Sequence, residues 1–393
     1  MVGLSWPLWV DGGGLPQVPF IAGWDEPGLV MSSTRLAILM AGLTAVVASR
    51  WRRWAWLASS GCLIWSILGD QNRLQPWVQQ YLVVAVGMVL LPHRRVLGLA
   101  RWYVVVLYAA SGLSKLDASF VDELGALFLR TIGHQVGLAP EGWPAAVRVG
   151  TILAMPLGEI LLAVALVRPE TRAIGLAGSV AQHLLTVAIL GPWALGHSTI
   201  VLAWNGAMIV ENLALFGRTG GGGSWRPGGG SLLAAGTLVI ALVTGERWGW
   251  VDSWPAHALY ASHAERTAIA WPDTGANDLP PEIRAWLGPA DEMGYRRLDL
   301  TGWSRSKRGV PIYPQNRVAC GVAEALVGRY ADPTGLPVRV VLIGRAGIGR
   351  RSIRARVECI NLASLRRRGE RFWLNAHPAP GWGRPAAPSD QSR

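Results

Sequence analysis

Charged side chains are scarce in this 393-residue chain, at 16% of the total. Soluble globular domains carry about a quarter, so the deficit argues against an ordinary soluble protein. Lysine is scarcer still: of 37 basic residues only Lys115 and Lys307 are lysines, and the rest are arginine. Three cysteines, Cys62, Cys320 and Cys359, are too few for a disulfide-built scaffold. No CxxC pair or His/Cys cluster supplies a metal site. The opening stretch MVGLSWPLWVDGGGLPQ lacks both a basic leader and a clean apolar core, so no cleavable signal peptide is expected.

What the chain has is apolar length. It is 51% hydrophobic, its mean hydropathy is +0.28, and it holds 21 tryptophans. Roughly 20 residues of helix cross the hydrocarbon core of a bilayer. Eight runs approach that length: 31–49, 54–69, 79–92, 96–113, 145–167, 173–191, 197–216 and 231–246. The loops between them alternate in charge. One set contains Arg50, Arg52, Arg53, Arg94, Arg95, Arg168, Arg172, Arg218 and Arg226, the other only Arg73, Lys115 and Arg130. The positive-inside rule makes the first set cytoplasmic and places both termini outside.

The expected fold class is therefore a polytopic α-helical membrane protein, with about eight spans and an interfacial helix, followed by a small C-terminal α+β soluble domain. Three segments follow: an extracytoplasmic piece at 1–30, a transmembrane domain at 31–247, and a basic extracytoplasmic domain at 248–393. The glycines at 220–223 and 228–230 read as a solvated cytoplasmic linker. In the last segment, 315–331 has helical spacing with Val318, Val322 and Leu326 on one stripe, while 338–344 and 352–362 have strand character. GRAGIGRR (344–351) between them reads as a hairpin connection, because it lacks the G-K-[ST] ending of a phosphate loop. Residues 254–294 read as an extended lead-in. Ten arginines at 339–371 face only Glu358 and Glu370, a balance suited to anionic lipid or an acidic extracytoplasmic partner rather than nucleic acid. An oxidising compartment would permit a Cys320–Cys359 disulfide, while the apolar stripes on which the two sit equally suit a pair of core thiols.

Ionisable groups inside spans are costly and mark function by default. The candidates are Lys115, Glu159, His183 and Glu211, with Asp70 and Arg73 at a boundary. Glu211, Asn212 and Arg101 lie near helix ends and are expected to reach for water. Ser119 and Asp122 fit a capping box opening a helix at 119–135. Lys115 follows Ser111, Gly112 and Ser114, small residues that allow close approach of a helix or ligand. A buried amine lacking an anion gives up its proton more readily, and a neutral amine is a base, which a guanidinium is not. A salt bridge to Glu159 is the bland alternative.

The segment LYAASGLSKLDASFVDELGALFLRTIG (107–133) resembles the stretch of vitamin K-dependent γ-carboxylases that carries their catalytic lysine. RAIGLAGSVAQHLLTVAILG (172–191) is similar to that family's Arg-x-Ile-Gly-Leu helix and the histidine-containing stretch after it. DQNRLQPWVQQY (70–81) is similar to a boundary motif of bacterial proteins sharing this multi-helix domain, the horizontally transferred transmembrane (HTTM) proteins. The likeness covers roughly residues 31–216. It implies a bacterial inner-membrane protein in which Lys115 is the base that deprotonates a reduced quinone of the vitamin K or menaquinone type. It further implies that His183 orients the ligand and that Glu159 is the counter-charge at the cofactor; Ser111 and Gly112, small residues before Lys115, are expected to line a cofactor pocket there, and no metal is expected. The comparable stretch QPWVQQY lacks the histidine that the family has there. The alternative is a non-catalytic, quinone-associated or anchoring membrane protein that positions the C-terminal domain.

Overall fold

The structure is a computed structural model and describes residues 1–10, 14–24, 35–37, 39–42, 52–217, 225–332, 334–347 and 355–380. The helices over its first two thirds, in chain order, are α1 (Arg52–Gly69), α2 (Pro76–Leu90), α3 (His93–Ser114), α4 (Ala118–Asp122), α5 (Leu124–Gln135), α6 (Ala145–Val167), α7 (Arg172–Leu190), α8 (Thr199–Phe216) and α9 (Gly229–Trp248). Among the described residues five helices are long and apolar enough to cross a membrane: all but the first residue of α3, and α6, α7, α8 and α9. They support the integral-membrane class. The apolar α2, at 15 residues, is shorter. The run at 31–49 lies mostly outside the described residues.

Contacts divide the chain into two units, one of Met1, Pro76–Ala264 and Arg345–Arg354, the other of Val2–Gln75, Glu265–Gly344 and Ala355–Arg393. The division falls after Ala264 rather than at 247/248, and the N-terminal segment groups with the C-terminal one.

In the helical unit α3 packs against α2, α6, α8 and α9. Its core gathers Tyr103, Val104, Leu107 and Tyr108 of α3 with Ala163 and Leu166 of α6 and Met208, Leu215 and Phe216 of α8. The outward faces of α6–α9 carry exposed Leu161, Ile174, Leu184, Val210, Leu233 and Ile240, as lipid-facing helices do. Arg101 does not reach for water. It is buried and donates to Leu215 O at 2.8 Å, capping the carbonyl end of α8. Glycines 228–230 of the expected solvated linker are exposed, 220–223 lie outside the described residues, and Trp225 packs inward. Its ring lies beneath the guanidiniums of Arg101 and Arg172, at 5.7 and 5.3 Å, and its carbonyl accepts from Arg172. The interfacial helix is also rebuilt: Asp117, not Ser119, caps α4 by accepting from Phe120 N at 2.8 Å, and the chain breaks at Glu123 before α5.

The other unit is built on a five-stranded antiparallel sheet, β1 (Arg266–Pro272), β2 (Leu287–Ala290), β3 (Tyr295–Leu298), β4 (Arg339–Ile343) and β5 (Arg356–Cys359), in the order β2-β3-β1-β4-β5. The register pairs Val340 with Cys359 and Ile269 with Val340, so the connection after β4 joins antiparallel strands, as the hairpin reading required. The first three strands replace the expected extended lead-in. Its helices are α10 (Leu300–Arg308), α11 (Asn316–Tyr330) and α12 (Leu362–Gly369). Val318, Val322 and Leu326 are buried, but α11 is enclosed on every side from Asn316 to Val327 rather than along one stripe. Cys320 and Cys359 are free thiols, which corrects the disulfide expectation. Each turns onto a carbonyl of α12, Cys320 Sγ to Leu365 O at 3.7 Å and Cys359 Sγ to Ser364 O at 3.8 Å. Burial pushes the Cys320 thiol up to about 12.

The turn 70–73 belongs to this second unit and is wholly buried. Asp70 binds Arg308 at 2.6 Å, Gln71 accepts from Arg317 Nε at 2.7 Å, Asn72 accepts from Tyr313 N at 3.0 Å, and Arg73 donates to Leu8 O at 3.0 Å. These groups saturate one another, so Asp70 and Arg73 serve architecture.

Candidate functional site

Four helices of the helical unit aim polar groups at one cavity of about 420 Å³. On α3 the spacing Tyr108, Ser111, Lys115 puts all three on one face, three and then four residues apart. Lys115 is the C-cap residue, just past the last turn. α6 contributes Met155, Gly158, Glu159 and Leu162, α7 contributes Gln182, His183 and Thr186, and α8 contributes Trp204, Asn205 and Met208. Leu259 and Tyr260, from the segment after α9, complete the wall with Phe120 and Phe128. Most of the lining is aliphatic or aromatic.

Lys115 is 4% exposed. Its Nζ donates to Glu159 Oε1 at 2.8 Å, Glu159 Oε2 at 2.7 Å and Ser111 Oγ at 2.7 Å. An ammonium has three donors, and all three are used. Glu159, expected as the counter-charge, is therefore in place, and Ser111 lines the cavity beside it. Gly112 does something else. A Cβ there would lie 2.6 Å from Pro156 O, 2.8 Å from Ile160 Cγ1 and 3.2 Å from Glu159 Cβ. It lets α3 and α6 meet closely enough for Lys115 to reach Glu159, and it does not line the cavity.

The second polar group is a chain of hydrogen bonds. His183 Nδ1 lies 2.9 Å from Asn205 Oδ1, and Nε2 lies 2.7 Å from Tyr108 OH. Asn205 Nδ2 donates to Val201 O, and Asn212 Nδ2 donates to Tyr108 OH at 2.7 Å. This pattern assigns the proton to Nδ1, since Asn205 presents its oxygen. Nε2 then accepts from Tyr108, whose oxygen accepts from Asn212. Asn212 is fully buried, which corrects the expectation that it reaches water. Glu211 is likewise engaged, accepting from Gln80 Nε2 while Trp204 Nε1 donates to Gln80 Oε1 at 2.8 Å.

Sequence reasoning picked out Lys115, Glu159, His183 and Ser111, and they converge on this cavity. It missed Asn205 and Tyr108 as partners of His183. Asn205, Met208 and Asn212 share one face of α8 at the i, i+3, i+7 spacing, and two buried amides on such an apolar helix were the available signal.

It missed a buried cluster two residues beyond Lys115 entirely. Asp117 Oδ2 receives Arg247 Nη2 at 2.6 Å and His263 Nδ1 at 2.9 Å, and His263 Nε2 faces Glu246 Oε2 at 2.7 Å. Glu246 Oε1 also takes Ser253 Oγ at 2.9 Å and Arg345 Nε at 3.4 Å. Burial alone would raise the Asp117 carboxyl, but hydrogen bonds from His263, Ser119, Phe120 N and Arg247 outweigh it and hold the group below the usual range. For His263, burial works against the charged form, and the bonds to Asp117 and Glu246 overcome it, leaving the imidazole above its ordinary value. His257, in the same segment, has no such partner, and burial pushes it down to about 4. No group of three or more His, Cys, Asp or Glu residues suited to a metal ion occurs among the described residues.

Comparison of the chain with protein-family models, curated proteins and solved structures finds no match.

Proposed function

We propose that the helical unit binds a reduced, lipid-soluble quinone of the vitamin K or menaquinone type, and that Lys115, acting with Glu159, takes a proton from its ring hydroxyl. The observation that carries this reading is the coincidence of an apolar cavity with two separate polar groups in its wall: the Lys115–Glu159–Ser111 cluster and the Tyr108–His183–Asn205 chain. Ligand pockets of about 300–1,000 Å³ typically combine apolar walls with a few fixed polar groups. An aromatic ring with oxygen substituents and an apolar tail matches that lining.

The bound quinol would supply an acidic hydroxyl and redox chemistry. The protein's part is proton handling. Glu159 first accepts a proton from Nζ, leaving an amine beside a carboxylic acid with no net change of charge in the cavity. The amine's lone pair then accepts the hydroxyl proton. Tyr108, fixed by His183 and Asn212, is placed to orient an oxygen of the ring, and the leucine and methionine walls exclude water, strengthening each of these interactions. Carboxylation of a glutamate substrate, the activity of the family resembled at 107–133, is left open by this reading.

One observation favours the anchoring form of the alternative, a non-catalytic protein that positions the C-terminal domain: Lys115 has no donor to spare, as expected of a purely structural ion pair. Purification in mild detergent, solvent extraction and mass spectrometry separate the two. A stoichiometric quinone that disappears in Lys115→Met and Glu159→Gln supports the first reading. A preparation free of quinone, with no uptake of added menaquinol, defeats it.

A further inference from the structure

The segment from Asp252 to Ala264 is neither helix nor strand, yet it forms part of the cavity wall through Leu259 and Tyr260. Two of its non-glycine residues, His257 and Tyr260, hold φ at +57°, a left-handed conformation that persists only when the surroundings impose it. At its end His263 is fully buried between two carboxylates. Ionised carboxylate oxygens only accept hydrogen bonds, so ring nitrogens at 2.9 and 2.7 Å from Asp117 and Glu246 must both donate. The ring is an imidazolium.

Asp117 caps α4, and its backbone N–H reaches Lys115 O at 2.8 Å; Arg247, bound to the same carboxylate, also donates to Ser114 O at 3.1 Å. One imidazolium thus ties the turn carrying Lys115 to the end of α9 and to the strained segment. We propose that the segment 252–264 is a lid on the cavity and that His263 is its latch: the doubly bonded imidazolium holds Leu259 and Tyr260 in the wall, and loss of one ring proton frees the lid and loosens the Lys115 turn. The charged groups facing His263 are Asp117 at the start of α4, Glu246 and Arg247 on α9, and Arg345 after β4. Burial works against the imidazolium and the two carboxylates hold it, so its charge is lost only as pH rises through a value above that of a free imidazole. Without one N–H, a nitrogen lone pair faces a carboxylate oxygen, and the contact turns repulsive. His263 is a positioning residue, and this regulation of the cavity rests on the cavity being the ligand site proposed above.

The test contains no quinone, so its failure is distinct from failure of that reading. Leu259→Cys in a Cys62→Ser background is labelled with N-ethylmaleimide between pH 6.5 and 8.5. Thiol ionisation alone raises the rate about tenfold per pH unit. Below the raised folded-state value of His263 the deprotonated, open fraction also rises about tenfold per unit, so labelling should climb about a hundredfold per unit there and fall back to the thiol's own slope once the latch has lost its proton. In His263→Gln the excess should vanish, with fast labelling already at pH 6.5. A tenfold slope throughout with the histidine present overturns the latch, and that profile needs no variant of the cluster itself. The same slope in both proteins overturns it equally.

Discussion

Lys115 and Asp117 lie two residues apart, both buried and both in ion pairs, yet their surroundings differ. Lys115 and Glu159 border open volume, whereas Asp117, His263, Glu246 and Arg247 are packed against one another, with capping and backbone bonds using the remaining acceptors. A pair beside a cavity can exchange its proton with a ligand without breaking the fold. A pair enclosed in protein holds its neighbours in place, and can give up a proton only by disturbing them. Near-identical chemistry thus serves two purposes, and the difference lies in what fills the adjacent space.

That contrast can be broken at several points. The largest effect on stability is expected from Asp117→Ala, which leaves His263 and Arg247 without their shared anion. Removing one partner of a buried pair costs about 3–5 kcal/mol, read as a fall in the midpoint of thermal unfolding in detergent. Lys115→Met should cost less fold stability, because the carboxylate it leaves borders the cavity rather than close-packed protein. It should abolish quinol binding, and the double variant Lys115→Met/Glu159→Leu should regain most of the lost stability but none of the binding. Gly112→Val should cost about 1–3 kcal/mol by overpacking against Pro156 and Ile160, and should weaken binding by separating Lys115 from Glu159. Last is Tyr108→Phe, which removes the hydroxyl's bonds to His183 and Asn212 at about 1 kcal/mol each, measured by unfolding with quinol affinity as a second readout.

The enclosed cluster also has a pH signature. His263 is raised in the folded state, so its contribution to stability is complete below the unfolded value of about 6.5 and is lost as pH rises through the folded value. His257, lowered to about 4, works in the opposite direction: its burial destabilises the fold only as pH falls below about 6.5. Unfolding midpoints from pH 5 to 9 should therefore decline on the alkaline side, and His263→Gln should flatten that decline.

Much of the helical architecture was legible because apolar runs of span length have few other uses. Lys115, Glu159 and His183 stood out because a charge is conspicuous against such a background. His263 was invisible for the complementary reason. It lies in ASHAE, an unremarkable polar stretch, and meets Asp117 across 146 residues of chain. Strands β1 and β2 were missed because proline or glycine interrupts them, as in LGPA and the WP ending of β1, and β3 because YRRL is only four residues long with two adjacent arginines. Arg101 and Asn212 were misassigned because position near a helix end suggested water, while the three-dimensional neighbours were carbonyl oxygens and a tyrosine hydroxyl.

The cysteines of the sheet unit have a practical corollary. Thiols react as thiolates, and Cys320, held near 12 in the enclosed α11, has almost none at neutral pH. Cys359 is buried as well, and its thiol is also raised. Once the half-buried Cys62 is replaced, the protein carries a nearly silent background for accessibility chemistry, and a reporter thiol placed on the helical unit will speak almost alone.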